Sequence, residues 1–106
     1  MGMDKIKINE VAEAPTPLGG MARTLVNHPD LQLVILRVPA GEKVAEHIAP
    51  VEVILLALSG RGTIYAGSEA VAIAAGEIVT CPADLPRALA ADNTDLELLV
   101  IRAPNP

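Results

Sequence analysis

The sequence predicts an all-β domain, a barrel or sandwich of short strands. Three observations carry this expectation. Turn-forming residues recur at short intervals: Asn27-His28-Pro29-Asp30, Pro39-Ala40-Gly41-Glu42, Ser59-Gly60-Arg61-Gly62, Ala66-Gly67-Ser68, Ala75-Gly76-Glu77, Pro82-Ala83-Asp84 and Asp92-Asn93-Thr94-Asp95. Such spacing marks short strands joined by tight connections. The runs between the turns are rich in Val, Ile, Leu and Thr, residues that fit a pleated, half-buried surface. None of these runs has the length of an ordinary globular helix.

In chain order, residues 1–20 read as an N-terminal strand or loop segment. Glu10 to Ala14 has the makings of one helical turn, but Pro15 and Pro17 end it, so residues 10–20 are expected to be loop. Residues 21–106 then form a single domain. Its first strands, 21–26 and 31–38, flank the Asn-His-Pro-Asp turn. Strand 51–58 follows, then three short runs at 63–66, 70–74 and 78–81 separated by glycine turns, and a last strand at 96–102. Stretches 51–58 and 96–101 are almost continuously apolar instead of alternating, which implies cover on both faces. A small domain has few layers to supply it. A second subunit is the simplest cover, and a homodimer is the expected assembly.

Composition excludes several classes of function. The chain has 106 residues, about one domain's length. Its net charge is −5 and no Lys/Arg cluster is present. Binding to nucleic acid relies on dense positive charge, so no nucleic-acid partner is expected. Although 51% of residues are apolar, even a run as long as residues 53–58 falls far short of the roughly 18 residues that span a bilayer. No membrane association is expected. The N-terminal residues lack the basic-then-apolar pattern of a secretory signal, and Cys81 is the only cysteine; both point to the cytoplasm. With no Phe or Trp and Tyr65 as the sole aromatic, an internal pocket has little on which to stack a sugar or base.

Gly41, His47 and Gly60 fall on the pattern G-x5-H-x-H-x3-E-x6-G, and Gly76 and Pro82 on G-x5-P-x-G-x2-H-x3-N. In the second pattern Asp84 takes the second glycine position and Arg87 the histidine position. These motifs, in order and at a plausible separation, resemble the two motifs of the cupin superfamily over roughly residues 20 to 103. The resemblance implies a small cupin-type jelly-roll β-barrel like that of RmlC-like proteins. It also implies an interior site in which two histidines and a glutamate of the first motif and a histidine of the second hold one metal ion. In this chain those positions read His47, Ala49, Val53 and Arg87. A methyl, an isopropyl and a guanidinium are not ligands for iron, manganese or zinc, so neither a metal nor another cofactor is expected. Glu52 adjoins the glutamate position, but neighbouring strand residues face opposite ways, and the interval to Gly60 favours Val53 as the inward one.

The resemblance places His47 and Arg87 in the pocket. His47 can hydrogen-bond or exchange a proton near neutral pH. Arg87 keeps positive charge at the former metal position and offers a planar fork of donors to a carboxylate or phosphate; the competing arrangement turns it to solvent or pairs it with Asp84 or Glu77. Tyr65 adds a hydroxyl as a third candidate. Cys81, without a neighbouring base, reads as a structural thiol, and His28 as a surface turn residue. The expected function is metal-free binding of a small, anionic, non-aromatic molecule. Two alternatives stand beside it: a cupin enzyme of isomerase, decarboxylase or dioxygenase type, working through a metal on other ligands or through His47 and Arg87, and a structural dimer without a ligand.

Overall fold

The structure, a computed structural model, describes residues 2–106. After a single 3-10 turn at Ile8–Glu10 come ten strands: β1 Ala14–Pro15, β2 Met21–His28, β3 Leu31–Val38, β4 Lys43–His47, β5 Val53–Ser59, β6 Arg61–Ala66, β7 Glu69–Ala74, β8 Ile78–Cys81, β9 Arg87–Ala91 and β10 Leu96–Arg102. They form a six-stranded sheet in the order β1-β2-β3-β10-β5-β8 and a four-stranded sheet in the order β4-β9-β6-β7. Every pairing is antiparallel. From β3 onward the chain crosses repeatedly between the sheets, and this gives a jelly roll.

Alternation along the strands supplies the core. Leu96, Leu98 and Val100 of β10 and Val53, Leu55 and Ala57 of β5 are buried and face the other sheet, joined by Val44, Ile64, Ile73 and Leu89. The corner between β5 and β6 depends on Gly60. Its φ is +78°, and a Cβ there would lie 2.0 Å from the Asp95 carbonyl oxygen, so no other residue fits.

Three strands lie where the sequence suggests none. β1 pairs Ala14 with Ala22 and Pro15 with Met21, inside the stretch expected to be loop, and the chain turns back through Thr16 to Gly20, where Thr16 N–H donates to Gly20 O at 3.0 Å. Proline is tolerated because β1 is an edge strand. The helical turn sits at Ile8–Glu10, upstream of the expected position, clear of both prolines. β4 and β9 escape notice because Lys43, Glu46 and the alanines of β9 are weak strand formers by composition; tertiary pairing overrides that preference.

The N-terminal segment lies against the outer face of the larger sheet. Arg23 donates to the carbonyls of Val11 at 2.5 Å and Ile8 at 3.4 Å, and Arg37 pairs with Glu13 at 2.8 Å. Ile35, whose register partner is Arg23, is thereby only 4% exposed although it stands outside the main core. The N-terminal segment thus covers the outer face around Ile35. Among the described residues no helix is long and apolar enough to cross a membrane.

Candidate functional site

The site begins with one extra residue in β4. Val44 pairs with Leu89 and His47 with Arg87, a step of three residues on β4 against two on β9. In an unbroken strand, residues 44 and 47 would face opposite sides. The bulge turns His47 inward beside Val44, and both line the interior. Because His47 and Arg87 stand directly opposite across the strand pair, their side chains lie next to each other on one face. Arg87 belongs to the inward set of β9 with Leu89 and Ala91, all three buried.

The facing wall is supplied by the larger sheet. Arg102 ends β10, in register with Gln32 on one side and Val53 on the other. Its Nη1 donates to Gln32 Oε1 at 2.7 Å. Between the walls lie two adjoining cavities. The inner one, about 40 Å³, is lined by His47, Arg87, Arg102 and apolar residues including Val53, Leu55 and Ile64. The outer one, about 230 Å³, opens past Thr16, Thr24 and Gln32. Leu36, Val44, His47, Val100 and Arg102 line both. No Asp or Glu lines either cavity.

Electrostatically the interior is a cationic compartment without a counter-charge. Arg87 is 4% exposed, and both of its terminal nitrogens are buried with no hydrogen-bond partner among the described residues. Burial lowers its pKa. Arg102 is lowered first by burial and then by the charge of Arg87, with which it shares the lining of the inner cavity. Neither acidic neighbour suggested by the sequence reaches Arg87. Glu77 accepts from Ala74 N–H at 2.8 Å. Asp84 is exposed and holds its turn with φ +65°, a conformation free to glycine and easier for Asp than for most residues. His47 contacts the Ala45 carbonyl through Nδ1 at 3.1 Å. A carbonyl oxygen only accepts, so the bond requires the proton on Nδ1 and leaves Nε2 as the acceptor of the neutral ring.

His47 and Arg87 are thus brought together, and Tyr65 is not. Residues 62 and 64 of β6 face the core, so alternation sends Tyr65 outward, where it is 45% exposed and lines neither cavity. Arg102 and Gln32 are site residues that the motifs did not mark. The signal was the period of two in β10: if Leu96, Leu98 and Val100 face inward, Arg102 does as well. Cys81 is buried, its thiol pushed up by desolvation and partly brought back by Arg87, while His28 is exposed at the end of β2.

The residues present do not fit the metal that the motifs imply. Ala49 and Val53 are buried apolar groups, Glu52 is exposed, and no cluster of three or more His, Cys, Asp or Glu is found among the described residues. His47 stands as a lone donor beside a guanidinium, which repels a cation.

A family model described as "Cupin domain" matches residues 34–102. Comparison with curated proteins finds no match. Among solved structures, a conserved protein of unknown function, SPY1581 from Streptococcus pyogenes, is 24% identical, with a TM-score of 0.77 over 100% of this chain and 92% of that one. An RmlC-like cupin from Shewanella frigidimarina is 12% identical, with a TM-score of 0.86 over 98% of this chain and 93% of that one. The polyketide cyclase RemF from Streptomyces resistomycificus is 15% identical, with a TM-score of 0.86 over 98% and 81%. At these identities the likeness is one of fold, and folds of this kind host many functions.

Proposed function

The chain belongs to the cupin family, and from that premise we propose that it binds a small, non-aromatic anion between its two sheets, with Arg87 in place of the metal. One observation carries the reading: Arg87 is 4% exposed, with both terminal nitrogens free of any acceptor among the described residues. Leaving a charge out of water and unpaired costs several kcal/mol. A carboxylate from outside answers that cost with a charge-assisted, bidentate pair, strengthened by the low dielectric of the interior. With a proton on Nε2 as well, His47 would be a second donor to the anion, and the apolar walls exclude water. A cytoplasmic setting belongs to the same proposal, since the single thiol is buried with nothing to bridge to.

The test is thermal unfolding with acetate, propionate and lactate against their amides at constant ionic strength. A ligand of the folded state at ten times its Kd adds about 1.4 kcal/mol, or about 5–10 °C in Tm for a domain near this size. The acids should give such a rise and the amides should not. Arg87→Ala should abolish it, and Arg87→Lys should restore only part because lysine lacks the planar fork. Acids that stabilise the alanine variant as well as the parent would remove Arg87 from the site and the reading with it.

A further inference from the structure

We propose that the ligand is a short aliphatic dicarboxylate, one carboxylate on Arg87 in the inner cavity and the second on Arg102 and Gln32 where the cavities meet. This rests on the anion-binding reading above and deepens it. Two cations line the connected space and no carboxylate does, so a monoanion would leave one positive charge unanswered. Neither Arg87 nor Arg102 has an ion pair among the described residues.

The arginines stand on opposite walls. Arg87 projects from the four-stranded sheet beside His47, and Arg102 from the six-stranded sheet beside Gln32. They also address different spaces: Arg87 lines only the inner cavity, Gln32 only the outer, and Arg102 both. The Gln32 Oε1 bond at 2.7 Å holds Arg102 toward the junction; the Gln32 amide nitrogen donates to Asn27 Oδ1 at 3.4 Å, which leaves one of its two N–H groups as a further donor.

Size selects the head group. The inner cavity, about 40 Å³, is only a few times the roughly 10–15 Å³ needed to hold one water. A planar carboxylate is admitted more readily than a tetrahedral phosphate. The short chain between the two acids then lies against Leu36, Val44 and Val100, the apolar residues common to both cavities.

The experiment is calorimetric titration of the full chain with malonate, succinate and glutarate, each beside its own monoamide, and with inorganic phosphate. The monoamide keeps shape and length and removes one charge. At least one diacid should bind about tenfold to a hundredfold more tightly than its monoamide, the range of one charged hydrogen-bonding group. Arg102→Gln should abolish the preference for that diacid over its monoamide. Arg102→Lys should keep part of the preference. Diacid and monoamide binding equally to the parent would overturn the dicarboxylate assignment and leave the monoanion site standing. A diacid preference that survives in Arg102→Gln would overturn it too. Phosphate binding as tightly as the best diacid would replace it with a single tetrahedral dianion. Should no carboxylate of either kind bind the parent, both readings fall. The comparison of diacid with monoamide in the parent needs no variant, so the outcome does not hang on whether an altered Arg102 folds.

Discussion

Arg87 carries a conflict between folding and binding within one side chain. Its aliphatic stem packs in the interior, while its charged end has lost water and gained no acceptor among the described residues; burial depresses its pKa for the same reason. A residue of that kind is retained at a cost to the empty protein, as sites often are. Replacing it with methionine keeps the length of the stem and removes the unpaired charge. In buffer free of small anions, Arg87→Met should therefore be more stable than the parent by about 1–4 kcal/mol, the range found when buried charges give way to apolar groups. The measurement is the urea midpoint, with an unchanged m-value as the sign that compactness is the same. A clear loss of stability would mean that Arg87 has a counter-ion within the protein. The motif spacing was enough to place a guanidinium at this position. It was silent on whether Asp84 or Glu77 would neutralise it, because that depends on where two turns aim short acidic side chains.

At the scale of elements, legibility follows local chemistry. Turns marked by Gly60, Gly67 and Gly76 stand where the sequence suggests, because each needs a positive φ. The strongly apolar strands β3, β5 and β10 were likewise readable. The edge strands β1 and β4, and the alanine-rich β9, were not, since pairing with neighbours distant in sequence decides their state. The bulge that turns His47 inward exists only in the register between β4 and β9 and leaves no trace in either alone. A second non-local device is the clamp on the N-terminal segment, where the Arg37 guanidinium holds the Glu13 carboxyl below its ordinary value of 4.5. A carboxylate whose pKa is depressed by folding stabilises the folded arrangement above its unfolded pKa and stops doing so as pH falls through the folded one. The segment should stay docked at neutral pH and loosen only below about 4.5. Glu13→Gln should loosen it already at pH 7 and remove the acid response. Hydrogen exchange across residues 8 to 13 reads this directly, and an unchanged pattern in the variant would show that the contacts of Arg23 alone hold the segment.

The whole molecule presents two unlike faces on its larger sheet. The inner face builds the core and the site. On the outer face, the register sets Leu99 beside Ile35 and Leu56, and Ile101 beside Leu33 and Ile54, with Ile78 next to Leu56. The N-terminal segment shields the region of Ile35, but Ile78 remains 61% exposed, and Ile54, Leu56, Leu99 and Ile101 are only partly buried. We propose that a second copy covers this strip. A two-fold contact suits it because the strip is apolar along its length and needs no complementary partner, only its own image. Charged residues mark its margin, with Arg37 and Glu97 paired in register near one end. Light scattering coupled to size exclusion at micromolar concentration should give twice the chain mass. Ile101→Glu, which sets a charge in the middle of the strip, should give a folded monomer, because a carboxylate buried against apolar side chains without a partner costs more than the contact returns. The interior cavities face away from the strip, so that monomer should bind carboxylates as the parent does. A parent that runs as a monomer across the concentration range would mean that the N-terminal segment is cover enough and that the partly buried outer row is simply this domain's surface.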